Sequence, residues 1–391
     1  FAVAQIYARP FVAQSAIGPC SPLTRRALGP KMPMNRPQSA APQTTTRNPF
    51  TLLEYDPIKL LNKPQKVASM FEVRDGTRDY DPLFPLSVEL HLTDVCNLRC
   101  SWCTDLELRR NLASLPLATV ESLFHEFAQH GVGVTIEGGG EPTVYKHFAE
   151  VVTLAARYKL DIGLITNGIR PLAPFANQFK WIRVSMDASS ADEYLAEKGV
   201  QRYGKVRANI AALGAMPDKQ FLLGIGYVMT RRNTGRLLEF IEEMDAAGVD
   251  YIYLRPVEEM PDLSPDLAML YELKSQWETT QAAERRIKVL MNLDDRIEKH
   301  NEGLPCIAHA LSCVIQADGH VAMCEKRRHD PVVFGNVNMQ RFSEIWRGQL
   351  RKDVSRRLLD PGAQRGCEVC RITKFNRYFV RLGELYTRNF I

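Results

Sequence analysis

No apolar run in this chain of 391 residues approaches the roughly 20 that a membrane-spanning helix needs. That absence predicts a soluble protein with no membrane partner. Acidic residues are missing from the first 53 positions, where Arg9, Arg25, Arg26, Lys31, Arg36 and Arg47 stand alone. Setting those six aside leaves 44 of the 50 basic residues against 45 acidic ones. The net charge of +5 is therefore carried by one end, and the body lacks the basic footprint that nucleic-acid binding requires. No sequence repeat runs through the chain. Cysteine, by contrast, is plentiful. The nine cysteines are odd in number, and several cluster at C-x-x-C spacing. Such usage in a large chain reads as metal-binding and intracellular, hence cytoplasmic, rather than disulfide-stapled.

Residues 1–50 are rich in Pro, Ala, Ser, Thr and Gln without periodicity and read as a disordered extension. Their acid-free, Arg-bearing composition is shared by transit peptides. Met32 and Met34 favour a start-site extension instead. Residues 51–84 form a lead-in segment. From residue 85 six β-branched runs alternate with amphipathic stretches: Ser87–Asp94, Val132–Gly139, Asp161–Gly168, Trp181–Ala188, Leu222–Thr230 and Tyr251–Val257. The helical stretches include Leu117–His130 and Arg236–Gly248, whose apolar residues recur at helical spacing. This alternation predicts an α/β fold, a partial (β/α)6 barrel over 85–265 with ligands at the C-terminal strand ends. Residues 266–303 read as a helical linker. Residues 304–391 read as a small C-terminal β-hairpin and helix domain, closed by an amphipathic helix over Lys374–Ile391.

The first predicted strand runs into Cys96-Asn-Leu-Arg-Cys100-Ser-Trp102-Cys103. Three thiolates on one loop are one short of the four irons in a cubane cluster, which leaves one iron open for chemistry. A zinc site would want a fourth ligand. His91 is the one conceivable candidate nearby, and it sits on the strand itself.

The C-x3-C-x2-C run resembles the cluster motif of the radical S-adenosylmethionine (SAM) superfamily. Three further segments resemble the family in order: Gly138-Gly139-Gly140-Glu141-Pro142, Leu164-Ile165-Thr166-Asn167-Gly168 and Val184-Ser185-Met186-Asp187. The resemblance covers about residues 85–260. It implies that Cys96, Cys100 and Cys103 hold a [4Fe–4S] cluster. It also implies that Gly139, Gly140 and Glu141 meet the SAM amino group, that Asn167 and Ser185 face its ribose and carboxylate, and that Trp102 packs near adenine. Reductive cleavage of SAM to a 5′-deoxyadenosyl radical, with a flavodoxin or ferredoxin-type reductant, is the activity it implies.

Four more cysteines, Cys306, Cys324, Cys367 and Cys370, stand in two groups in the C-terminal region. Four thiolates can close a zinc ribbon as well as a cluster. The Asp318-Gly319 turn between Ser312–Ala317 and His320–Cys324 predicts a hairpin. With Phe334–Val337, Ile345-Trp346 and the final C-x-x-C, the region resembles the twitch domain, a shortened SPASM domain. That likeness implies one auxiliary [4Fe–4S] cluster on these four cysteines.

Cys313 remains as a buried thiol or a hydrogen donor, and Arg255 as a substrate clamp or a surface ion pair. His309, His320 and His329 read as solvent-exposed, and Cys20 carries no assignment. These features favour an oxidoreductase or epimerase in which the radical abstracts hydrogen from a small polar substrate, such as a sugar or cyclitol. Two alternatives stand beside it. One is a ribosomal-peptide maturase, for which the short ordered stretch within residues 1–84, near Leu52–Val73, looks too small to be a recognition domain. The other is a non-catalytic iron–sulfur electron-transfer protein.

Overall fold

The computed structural model describes residues 57–384 except 107, 259, 281–285, 292, 294–303, 331, 361, 363–366 and 368–369. The extension over 1–50, with Cys20, and the end of the closing helix lie outside the described residues.

Seven strands run parallel: β1 Ser87–Leu90, β2 Gly133–Ile136, β3 Ile162–Thr166, β4 Trp181–Ser185, β5 Leu222–Met229, β6 Tyr251–Pro256 and β7 Lys288–Met291. Between them lie α2 Leu117–His130, α3 Phe148–Arg157, α4 Ala191–Lys198, α5 Tyr203–Gly214, α6 Leu237–Ala246 and α7 Leu267–Thr280, with α1 Pro64–Arg74 preceding β1. The sheet continues beyond β1 through β8 Ser312–Ile315 and β9 Val321–Ala322, in the order β7-β6-β5-β4-β3-β2-β1-β8-β9. It is an open sheet, as a partial barrel requires.

Two expectations change. The region 266–303 is not one helical linker, because α7 gives way to β7, which pairs in parallel with β6 (Tyr251 beside Lys288). Four residues with a charged neighbour are too short to register as a strand by periodicity. The C-terminal hairpin is present, but it is no separate sheet. Its first strand pairs in parallel with β1, Ser87 beside Ser312, and antiparallel with β9. Residues 225 positions apart along the chain give no local signal of such a pairing.

Strand alternation sets the two faces. In β1 and β4 the residues Val88, Leu90, Ile182 and Val184 are fully buried against the helices. Their neighbours Glu89, Arg183 and Ser185 stay partly accessible on the other face. The helices answer with stripes at i, i+3 and i+4: Val120, Leu123, Phe124 and Phe127 in α2, and Leu237, Phe240, Ile241 and Met244 in α6. Each such side chain contributes about 1.5–3 kcal/mol on burial. Helix α2 stops at Gly131, whose φ of 61° is the left-handed conformation that glycine takes freely.

After β9 come α8 Phe342–Trp346, α9 Gln349–Leu358 and α10 Thr373–Glu384. A second apolar cluster joins Leu60 and Met70 to Ile307, Leu311, Phe375 and Phe379. The lead-in helix α1 thus packs on α10, with Phe71 edge-on to Phe379 at 5.1 Å and Arg74 Nη1 donating to the Phe379 carbonyl at 3.1 Å. Among the described residues no helix is long and apolar enough to cross a membrane.

Candidate functional site

The C-terminal ends of the strands open onto one cavity of about 220 Å³. Cys96, Cys100, Cys103 and Trp102 line it, as do the Gly138–Glu141 turn, Asn167, Ser185 and Arg255. The sequence singles out these residues in five segments far apart in the chain, and the fold brings them together.

The glycine turn is built by close approach. Gly138 and Gly139 have φ of 63° and 60°, and a Cβ at Gly140 would stand 2.0 Å from the Val95 carbonyl oxygen. Only glycine allows the turn to lie flat on the chain entering the cysteine loop. Gly140 N donates to Thr93 O at 2.8 Å and Glu141 N to Val95 O at 2.9 Å.

Glu141 does something other than reach a ligand. Its Oε1 accepts from Thr143 N at 3.1 Å, the Thr143 hydroxyl at 2.6 Å and the Thr166 hydroxyl at 2.6 Å. Its Oε2 accepts from Asn167 N at 2.7 Å. A carboxylate offers about four acceptor positions, two on each oxygen; three donors crowd Oε1 and one reaches Oε2, which locks the β2 end to the β3 end and leaves one position on Oε2.

Asn167 continues the lock. Its Nδ2 donates to Asn97 Oδ1 inside the cysteine loop at 2.7 Å, and its Oδ1 accepts from Ile169 N at 3.0 Å. Ser185 donates to Asp187 Oδ2 at 2.7 Å.

Lys198, which the sequence reading did not single out, completes this corner. Wholly buried, it pairs with Asp187 and lies 4.7 Å from the centre of the Trp102 ring. Burial works against its charge, but Asp187 and Cys100 outweigh that and hold it above the ordinary lysine range. Trp102 stacks under a cation here, and its Nε1 is buried without a partner. Glu197, next in the same helix, accepts from the Ser101 hydroxyl at 2.7 Å and fastens the cysteine loop to α4. No periodic pattern flags a Glu-Lys pair at a helix end as a site.

Burial pushes the Cys100 thiol up to about 11 although Lys198 is near, and it raises Cys96 likewise. Such thiols give up their protons on binding a cationic metal centre. All three cysteines are partly accessible and line the one cavity. Soft donors on a single loop, beside a glycine cradle and an unsatisfied indole N–H, fit a [4Fe–4S] cluster with a chelated organic ligand.

The second cysteine set also assembles. Cys306 and Cys324 each feel the charges of Cys367 and Cys370. Burial and then Cys370 push Cys306 up to about 12. Arg327 Nη1 donates to Cys367 Sγ at 3.5 Å. Among the described residues no three His, Cys, Asp or Glu side chains are placed to share a single metal ion. Each thiolate of a cubane takes its own iron, whereas zinc draws four donors onto one ion.

Cys313 is placed away from the cavity. It pairs in register with Val88, so it shares Val88's helix-facing side, 1 % exposed within the main apolar core. A thiol there meets no substrate, and the hydrogen-donor expectation loses its footing. His309 is buried as well, contrary to the expectation of exposure. Its ring nitrogens are bonded to Cys306 O and to Ser355 Oγ. His329 is exposed and His320 half-buried.

Comparison with known proteins places these observations. Residues 90–219 match the family model of the Radical SAM superfamily, and residues 306–371 match that of SPASM, an iron–sulfur cluster-binding domain. The mycofactocin maturase MftC of Mycobacterium tuberculosis is 27% identical over 73% of this chain and 75% of its own length. The PqqA peptide cyclase of Gluconobacter oxydans is 26% identical over 68% of this chain and 77% of its own. Among solved structures, SuiB of Streptococcus suis bound to SAM superposes with a TM-score of 0.59 at 16% identity, over 80% of this chain and 77% of that one. That last likeness is one of fold.

Proposed function

Starting from a radical SAM protein with a SPASM/twitch iron–sulfur domain, whose cofactors are a [4Fe–4S] cluster, SAM and auxiliary iron–sulfur, we propose that this chain is a peptide maturase. When bound, the cluster and SAM supply hydrogen-atom abstraction from an unactivated C–H bond. The chain's own residues hold, orient and enclose. Cys96, Cys100 and Cys103 would hold the SAM cluster, and Cys306, Cys324, Cys367 and Cys370 one auxiliary cluster. The Gly139-Gly140 backbone, Asn167, Ser185 and Trp102 would seat SAM. Lys198 fixes the Trp102 plane and the Ser185–Asp187 corner. Arg255 lines the same cavity and would meet the substrate there. A flavodoxin or ferredoxin-type protein would deliver the electron.

One observation carries the peptide reading. The PqqA peptide cyclase, whose name states a peptide substrate, aligns over 77% of its own length, and a second relative named as a maturase aligns over 75% of its own. A sugar or cyclitol substrate, ranked first from sequence, has no such support and becomes the second reading. Oxidation and epimerisation stay open as outcomes, although the placement of Cys313 removes the one thiol suggested for the latter.

The test is co-expression with each short open reading frame that flanks the gene, followed by mass spectrometry of the peptides. A mass change on one peptide is expected, lost in the Cys96→Ala variant. Unmodified peptides throughout, with a sugar or cyclitol consumed by the anaerobic protein, would reverse the ranking.

A further inference from the structure

The cavity's charges nearly all have partners. Asp105 is paired with Arg328, Glu325 with Arg371 and Arg328, and Glu258 with Arg371. Lys198 holds Asp187, Glu141 accepts four hydrogen bonds, and Arg255 is engaged. Two carboxylates are left. Glu89 on β1 and Glu137 at the end of β2 line the cavity, and among the described residues neither carboxyl group makes a hydrogen bond or a close ion pair.

They are neighbours. Glu137 N donates to Leu90 O at 3.1 Å, and the β1–β2 register sets Leu90 beside Ile136. Glu137 therefore stands opposite His91, and Glu89 lies two residues back on the same inward face. His91 lines the cavity too, is 3 % exposed, and has a buried Nδ1 with no partner. An imidazole nitrogen buried without a hydrogen bond costs stability unless something else satisfies it.

We propose that Glu89, His91 and Glu137 form a receptor for a primary ammonium group of the substrate, a lysine side chain or a peptide N-terminus. The proposal rests on the peptide reading for the source of that group. An ammonium offers three N–H donors and accepts none, and the three side chains offer it two carboxylates and a neutral ring nitrogen. Burial and the mutual charge of Glu137 raise Glu89 well above the ordinary carboxylate range. Burial and the charge of Glu325 push Glu137 up to about 7. Arg371 acts the other way on both, with Arg328 on Glu89 and Arg183 and Arg255 on Glu137; a cation between the two carboxyls would take the place of the proton these shifts favour. The receptor lies beneath the Gly138–Glu141 turn, so a side chain bound there brings its neighbouring C–H bonds to the SAM end of the cavity.

The test is calorimetric titration of the anaerobically reconstituted protein with SAM. Five probes are used: N-acetyl-Gly-Lys-Gly-amide, N-acetyl-Gly-norleucine-Gly-amide, Gly-norleucine-Gly-amide with its free N-terminus, and n-butylammonium set against n-butanol. At least one ammonium-bearing peptide is expected to bind tenfold or more tightly than the acetylated norleucine peptide. The preference should vanish in the Glu89→Gln/Glu137→Gln variant. Which of the two charged peptides is held identifies the source of the ammonium. Equal binding of charged and uncharged peptides overturns the receptor and leaves the peptide reading standing. Preference for n-butylammonium over n-butanol, with no peptide bound, keeps the receptor and overturns the peptide reading. Tight Mn²⁺ or Zn²⁺ binding lost in the same variant would make this a metal site and overturn the proposal. Should the double variant fail to fold, the comparison of probes on the unaltered protein decides.

Discussion

Arg328 donates from Nε to Oδ1 of Asp105 at 2.7 Å and from Nη2 to the Thr104 hydroxyl at 2.7 Å. Asp105 lies two residues after Cys103 and Arg328 four after Cys324, so this one guanidinium ties the two cysteine sets together. Burial alone would raise Asp105, but the Arg328 charge outweighs it and holds the carboxyl below its usual range. Removing one partner of a buried pair strands the other charge. Arg328→Met is expected to cost about 3–5 kcal/mol, read by chemical denaturation. The double variant with Asp105→Asn should cost less than the two single changes summed. Strict additivity would mean the pair is not coupled.

Glu141 is expected to matter through structure. In Glu141→Gln one acceptor oxygen becomes an N–H donor that faces Asn167 N or the threonine hydroxyls. We expect a loss of about 1–3 kcal/mol in the protein without SAM. A variant with unchanged stability and abolished SAM binding would instead put the carboxylate on the ligand.

The position of Cys313 gives a simple outcome. Cys313→Ala empties a small volume beside Val88 and should cost about 1–2 kcal/mol, while turnover of the modified peptide persists. Complete loss of turnover in a folded variant would return Cys313 to the chemistry.

His91 sets a pH dependence. Burial lowers it from the ordinary 6.5 to about 4, so the unfolded chain takes up the proton first as pH falls. The group favours folding fully above pH 6.5, and that contribution is lost between about 6.5 and 4. The loss amounts to about 3 kcal/mol. Stability at pH 7 and at pH 4.5 should differ more in the unaltered protein than in His91→Gln. Equal differences would mean that His91 takes up its proton at the same pH in the fold as in the unfolded chain.

Much of this was legible in the sequence. The six β-branched runs became β1 to β6 because parallel strands covered by helices need continuous apolar faces. The three-cysteine loop and the glycine turn announce themselves by spacing. What was not legible depends on partners distant in sequence. The helix-facing side of Cys313 follows from its register with Val88, and the anchoring of Glu141 from Thr166 and Asn167 at the end of the next strand. Glu89 and His91 did leave a trace, as polar residues at alternate positions of an apolar strand, where a half-buried face should show. Strand β7 left none, being four residues long beside a charged stretch.

The central claim is two iron–sulfur sites of different kinds, one of them open to SAM. It is tested most directly by iron and sulfide content with electron paramagnetic resonance of the reduced anaerobic protein, with and without SAM. The account predicts about eight irons, falling to about four in the Cys96/Cys100/Cys103→Ala variant, and a signal perturbed by SAM that this variant lacks. Zinc in the first site, or a signal indifferent to SAM, would contradict it.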